Sequence, residues 1–171
     1  MALADIKIVK NPGPVIKYRT DDRTTSSETA TLKPGDVVKK GGAEGNFATI
    51  VLTGDPEVAT DMVLGVVAAE STETSALDGT VDVYFPVPGQ VIRGKAATAA
   101  NIDTDAELLL LLNDSVAFDR SAANSGGTLT IDEDEGDDPN VHGLTIIDGD
   151  TSAGTLDCLW HILATVNGTT I

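Results

Sequence analysis

The sequence predicts a mainly β fold: a small β-barrel or sandwich with one short buried helix near residues 104–114 and an extended N-terminal arm. Three observations point there. The apolar runs have strand length and are separated by Gly, Pro, Asn and Asp. Several of them alternate with period two. One segment alone carries a helix-start signal followed by a dense apolar run.

Residues 1–35 read as the arm. Pro12 and Pro14 bracket Gly13 and forbid a helix there, and 20–31 is polar with no periodic face. Short strands are expected at 6–9 and 15–18. Residues 36–171 form the body, in which 98–171 reads as an elaboration or a second lobe. In the body, "LKPGDVV" (32–38) places a Pro-Gly turn before a strand, and "FATIVL" (47–52) and "MVLGVVAA" (62–69) have strand length. In "LDGTVDVYF" (77–85), Asp78-Gly79 reads as a turn. Val81, Val83 and Phe85 then share one strand face. Pro86 and Pro88 end that strand, and 90–96 resumes. The helix spans Thr104–Asp114: Thr104 and Glu107 have capping-box spacing, and five consecutive leucines predict burial on most sides. Strands are expected again at 115–121, 127–132 and 143–147. Asp148-Gly149 reads as a hairpin turn into 155–166, where Leu156, Cys158, Trp160, Ile162, Ala164 and Val166 alternate. Helical spacing of Leu156, Leu159, Trp160 and Leu163 leaves a helix open there; the strand is preferred.

Composition limits function. Hydrophobic residues make up 41% of the 171 residues, enough for a real core, while aromatics are 4%, too few for base-stacking platforms. The net charge of −16 repels phosphate and anionic lipid, so nucleic acid and membrane are excluded as expected partners. The charge is uneven: residues 1–40 hold eight basic side chains against five acidic ones, leaving the remainder more acidic than the whole. The expected partner-binding residues lie in this stretch: Lys7, Lys10, Lys17, Tyr18, Arg19 and Arg23. The first residues lack an apolar run of signal-peptide length, and the longest uninterrupted apolar stretch, Leu108–Leu112, is far too short to span a bilayer.

Catalytic and metal patterns fail on spacing. The stretch "TIDEDEGDDPN" (130–140) is densely acidic, but with Gly136 as the sixth residue of an EF-hand loop the first is Ile131, and Asp132 and Asp134 fall at positions 2 and 4. An irregular calcium cage from Asp132, Asp134, Asp137 and Asp138 stays open; the simpler reading is a charged turn. Cys158 and His161 are three apart, which on a strand points them to opposite faces, away from a shared zinc ion. Cys158 is the only cysteine, so no internal disulfide forms. There is no nucleophile elbow, zinc-protease helix, phosphate loop or dinucleotide fingerprint. No enzyme activity and no cofactor are expected.

Three stretches carry a resemblance: "LKPGDVV" (32–38), "ATDMVLGVVAAESTET" (59–74) and "DGTVDVYFPVPGQVIRGKA" (78–96). Their order of turns and strands resembles tailed-phage head decoration proteins, also called capsid cement proteins, across roughly residues 30–97. The resemblance implies a β-tulip fold and a homotrimer seated on the outer surface of the virion. It also implies an N-terminal arm that grips the major capsid protein, and no catalytic residue. Another virion subunit, from a tail or fibre base, and a calcium-binding β module remain as alternatives.

Overall fold

The computed structural model describes residues 5–23, 31–41, 47–51, 54–56, 61–121, 127–134, 138 and 141–160. The protein is mainly β, with two sheets and one short helix. Its strands are β1 (Lys7–Lys10), β2 (Val15–Thr20), β3 (Val37–Gly41), β4 (Phe47–Ile50), β5 (Val63–Ala69), β6 (Gly79–Tyr84) and β7 (Val91–Lys95). A 3₁₀ turn (Ala99–Ile102) and helix α1 (Asp105–Leu111) follow, then β8 (Ser115–Arg120), β9 (Leu129–Asp132), β10 (Leu144–Asp150) and β11 (Thr155–Trp160).

Strands β2, β4, β3, β5 and β6 close a barrel, sealed by one parallel pair between Thr20 and Ala48. The other six form a sheet in the order β1-β7-β11-β10-β8-β9. This sheet curls back on itself. A parallel bridge joins Ile131 of β9 to Ala96 beyond β7, and the Leu129 amide donates to the Asp5 carboxylate just before β1.

The continuous apolar run of β5 follows from its position. Leu64 and Val67 face the barrel interior with Val38, Ile50, Val81 and Val83. Val63 and Val66 face outward into a second core with Val37, Val51, Ile92, Phe118 and Leu144. A strand buried on both faces has no room for polar alternation. Gly65 sits at φ +131°, where any side chain would collide with the Tyr84 carbonyl of β6. Residues 155–160 are a strand, β11, which buries Leu156 and Cys158 in the same second core and packs half-buried Trp160 against it. Residues 161–166 lie outside the described residues, and His161 with them.

Several expectations need correction. The segment before residue 20 is extended but does not stand apart: β1 pairs with β7 in one sheet, and β2 pairs with β6 along its whole length in the other. Deleting it would take a strand from each sheet. Helix α1 forms with both halves of the predicted capping box, Glu107 N donating to Thr104 Oγ1 at 3.3 Å and Thr104 N donating to Glu107 at 3.1 Å. It is not buried, however: Leu109 and Leu110 are 67% and 79% exposed. In a seven-residue helix one stripe reaches the core, here Leu108 and Leu111 with Leu112 just beyond, and consecutive leucines cannot all lie on it. The last hairpin turns at Thr151–Gly154, because a bulge between Ile146 and Asp148 lets β10 continue through Asp150. Likewise Gly79 already belongs to β6, and the bend precedes Asp78.

The barrel and the curled sheet are fastened by buried polar groups. Gly54 N donates to Phe118 O and Phe118 N to Asp55 O, stitching a barrel loop to β8. Arg120, at the end of β8, has no exposed side-chain surface. Its Nε donates to Val51 O at 2.9 Å, its Nη1 to Gly127 O at 3.3 Å and its Nη2 to the Asp36 carboxylate at 3.4 Å. Burial raises the Asp36 carboxyl above its ordinary range even though the Lys33 amide and Arg120 both pull it down. Lys39 of β3 is held between Asp55 and Asp61 at 2.7 and 2.8 Å. Burial alone would lower its pKa, but those two hydrogen bonds outweigh it and leave it raised.

Arg120→Met should lower the unfolding free energy by about 3–5 kcal/mol, because it strands a buried carboxylate and carbonyl. The double variant Arg120→Met/Asp36→Asn should recover part of that loss in urea denaturation.

Candidate functional site

The predicted partner-binding cations begin on two short strands that leave the core on opposite terms. In β1, Ile6 and Ile8 turn inward while Lys7 and Val9 point out. In β2 the same period-two pattern exposes Val15, Lys17 and Arg19 and turns Tyr18 against the barrel core, where burial raises its phenol pKa.

The structure divides the six residues. Lys17 faces Asp82 across the β2–β6 pair at 3.4 Å, and Arg19 reaches Asp78 at 3.3 Å. The Arg19 guanidinium also lies 5.0 Å from the centre of the Phe47 ring, within cation–π range. Both cations stay largely solvated, so these pairs add little stability, but they spend part of the positive field locally. The Arg23 amide donates to Thr74 O, and its buried Nε has no hydrogen-bond partner. Lys7 and Lys10 are exposed on β1, and neither makes an ion pair among the described residues.

Lys33 was not among the predicted cations. It is exposed in the Lys-Pro-Gly turn, and its ammonium also makes no ion pair among the described residues. That turn is joined to the start of β1 by Ile6 N donating to Gly35 O. The signal was present as a lysine beside a Pro-Gly turn, but its nearness to β1 is a long-range contact that periodicity cannot report.

The acidic loop acts mainly as a fastener. Glu133 is buried and accepts the amides of Ala97 and Thr98 at 3.0 and 2.9 Å, and the Asn101 amide group at 3.2 Å. It thereby satisfies the chain as it leaves β7 for the 3₁₀ turn. Asp134 accepts from the same Asn101 at 2.8 Å, and Asp132 accepts from the Asp134 amide at 3.2 Å. The Asp138 carbonyl accepts from Val141 N and His142 N, and Asp137 lies outside the described residues. Asp132 and Asp134 belong to no three-ligand cluster among the described residues.

The cluster that does occur there joins Asp21, Asp22 and Asp78, whose nearest oxygens lie within 4.8 Å of one another. The Asp22 amide donates to both Asp21 and Asp78, and Arg19 binds Asp78, so part of this charge is already compensated. Sequence reading missed it because Asp78 meets the other two only through the β2–β6 pairing. Cys158 is fully buried, and burial pushes its thiol pKa up, which makes it a core residue rather than a nucleophile. His142 is buried with Nδ1 unpartnered, and it belongs to no three-ligand cluster among the described residues.

No known protein family, curated protein or solved structure matches this chain.

Glu133→Ala should cost about 1–3 kcal/mol by removing the charged acceptor of the Ala97, Thr98 and Asn101 donors, whereas exposed Asp134→Asn should cost under about 1 kcal/mol. Burial raises the Glu133 carboxyl pKa, so the folded state holds that proton more tightly than the unfolded chain. The stability this adds is present below the ordinary glutamate range and is lost as pH rises through the raised value. The gap between wild type and Glu133→Ala should therefore narrow across that window in pH-resolved denaturation.

Proposed function

We propose that this chain is a phage capsid decoration protein, a non-enzymatic cement subunit that binds the major capsid protein on the outer surface of the virion as a homotrimer. The observation that carries this reading is the placement of the three resembling stretches. "LKPGDVV" supplies a turn and β3, "MVLGVVAA" supplies the doubly buried β5, and "DGTVDVYFPVPGQVIRGKA" supplies β6 and β7. These strands link the barrel to the curled sheet, so the resembling segment is the framework of the molecule. Charge supports the same reading. An acidic body resists premature self-association, while the cations on β1, which make no ion pair among the described residues, offer attraction to an acidic shell. Three such edges on one trimer would act together through avidity.

Purified protein added to undecorated, expanded phage heads should bind stoichiometrically and raise the temperature at which the shell disrupts. Absence of binding in co-sedimentation would overturn the reading. For the trimer, the exposed Leu109 and Leu110 of α1 are the apolar surface offered for a seam. Leu110→Glu should shift sedimentation velocity from trimer to monomer while the far-ultraviolet circular dichroism of the folded chain stays unchanged; an unchanged trimer would place the seam elsewhere.

A further inference from the structure

A cleft of about 380 Å³ lies where the two sheets meet near their N-terminal strands. Consecutive residues of two strands line it, Ile6–Ile8 around β1 and Val66–Ala68 of β5, with Pro12, Pro34 and Tyr84 completing the walls. Three features bear on what it takes. Its lining is mainly apolar, and its volume falls in the range of ligand clefts, roughly 300–1,000 Å³. Strand β1 is the terminal strand of its sheet, so past Ile6, whose amide is taken by Gly35 O, its outer edge has no strand partner among the described residues. Lys7 lines the cleft and Lys33 adjoins Pro34, and neither makes an ion pair among the described residues; the same holds for exposed Lys10, Lys40 and Lys95, but none of these three lines the cleft, and Lys17, Arg19, Lys39, Arg93 and Arg120 all hold carboxylates of this chain.

We infer that this cleft binds an extended segment of a partner protein in which small apolar side chains alternate with carboxylates. An extended chain lying along an open strand edge gains main-chain hydrogen bonds, and alternate side chains enter the groove. The apolar walls take one set. Lys7 and Lys33 meet the other, and charge complementarity sets both selectivity and encounter rate. A segment rich in lysine is refused by the same two residues. The inference rests on the decoration reading for the source of the segment, a capsid subunit, and not for its chemistry.

The ordinary alternative is that Lys7 only guards an open edge against strand-to-strand aggregation. Titration of the isotope-labelled full chain with the peptide acetyl-Val-Glu-Val-Asp-Val-Glu-amide, followed by NMR, separates the two. The expected result is saturable shifts concentrated at Ile6, Ile8, Ala68 and Tyr84. Lys7→Glu and Lys33→Glu should each weaken binding by about tenfold. Both residues are exposed, so these variants keep the fold; Lys95→Glu, also exposed and outside the lining, should leave binding unchanged. Equal binding of a peptide with lysine at the acidic positions would overturn the inference. So would shifts elsewhere, no saturation at millimolar peptide, or a Lys7→Glu variant that self-associates without any change in peptide affinity. Concentration-dependent shifts at the cleft without peptide would assign it to a second copy of this chain and overturn the partner assignment. Failure to bind phage heads with intact peptide binding would strike the decoration reading alone.

Discussion

The molecule depends on a guanidinium held between two sheets. Arg120 carries its charge into a place with no solvent, where the Val51 and Gly127 carbonyls and the Asp36 carboxylate are among the groups that receive it. The partners come from different parts of the chain: Asp36 at the start of β3, Val51 beyond β4 and Gly127 before β9. An apolar contact between sheets is non-directional and would tolerate sliding. A buried fork of donors does not, because each misplaced bond leaves a polar group stranded. The valines that β3 and β5 turn outward therefore meet Ile92, Phe118 and Leu144 in one arrangement. The Gly54–Phe118 and Phe118–Asp55 backbone bonds lie on the same seam and reinforce it.

That seam also explains what the sequence revealed and what it hid. Alternation exposed β6 and β11 because each has one face on a core and one face elsewhere. Continuous apolarity exposed β5 because both of its faces are covered. Capping chemistry located α1 through two residues. Those signals are local, and the barrel-and-sheet class follows from them. Other features are set by contacts distant in the chain. The leucine run could not say how much core lay beneath it, and only the Leu108–Leu111–Leu112 stripe found any. Asp148-Gly149 has ideal turn chemistry, yet the β10 bulge shifted the register and moved the turn to 151–154. Polar, proline-marked residues before 20 resemble a free arm, but β1 meets partners more than 80 positions away and β2 partners about 60 to 70 away.

The acidic loop shows the same limit at a candidate site. Six acids between 132 and 138 look alike in sequence. Their surroundings separate them: Glu133 is buried and spends its oxygens on the 97–101 backbone and side chain, while Asp134 stays at the surface. A carboxylate that already accepts three donors has little capacity left for a cation. The acids that do converge, Asp21, Asp22 and Asp78, were invisible as a group until β2 and β6 were paired.

Where positive charge is left unspent is the more informative pattern. On a chain of net charge −16, most exposed lysines and arginines should find a local carboxylate without any design, as Lys17 and Arg19 do. Among the described residues Lys7, Lys10, Lys33, Lys40 and Lys95 do not, although acids are plentiful. The first two lie on a terminal strand and the third beside the turn that touches it. An open edge next to apolar walls is where an uncontrolled contact would begin. Lysines there repel another cationic edge and attract a carboxylate-bearing strand, so one feature performs both the exclusion and the selection. The acidic body sharpens this, because its net negative charge lowers the affinity for acidic partners over most of the remaining surface.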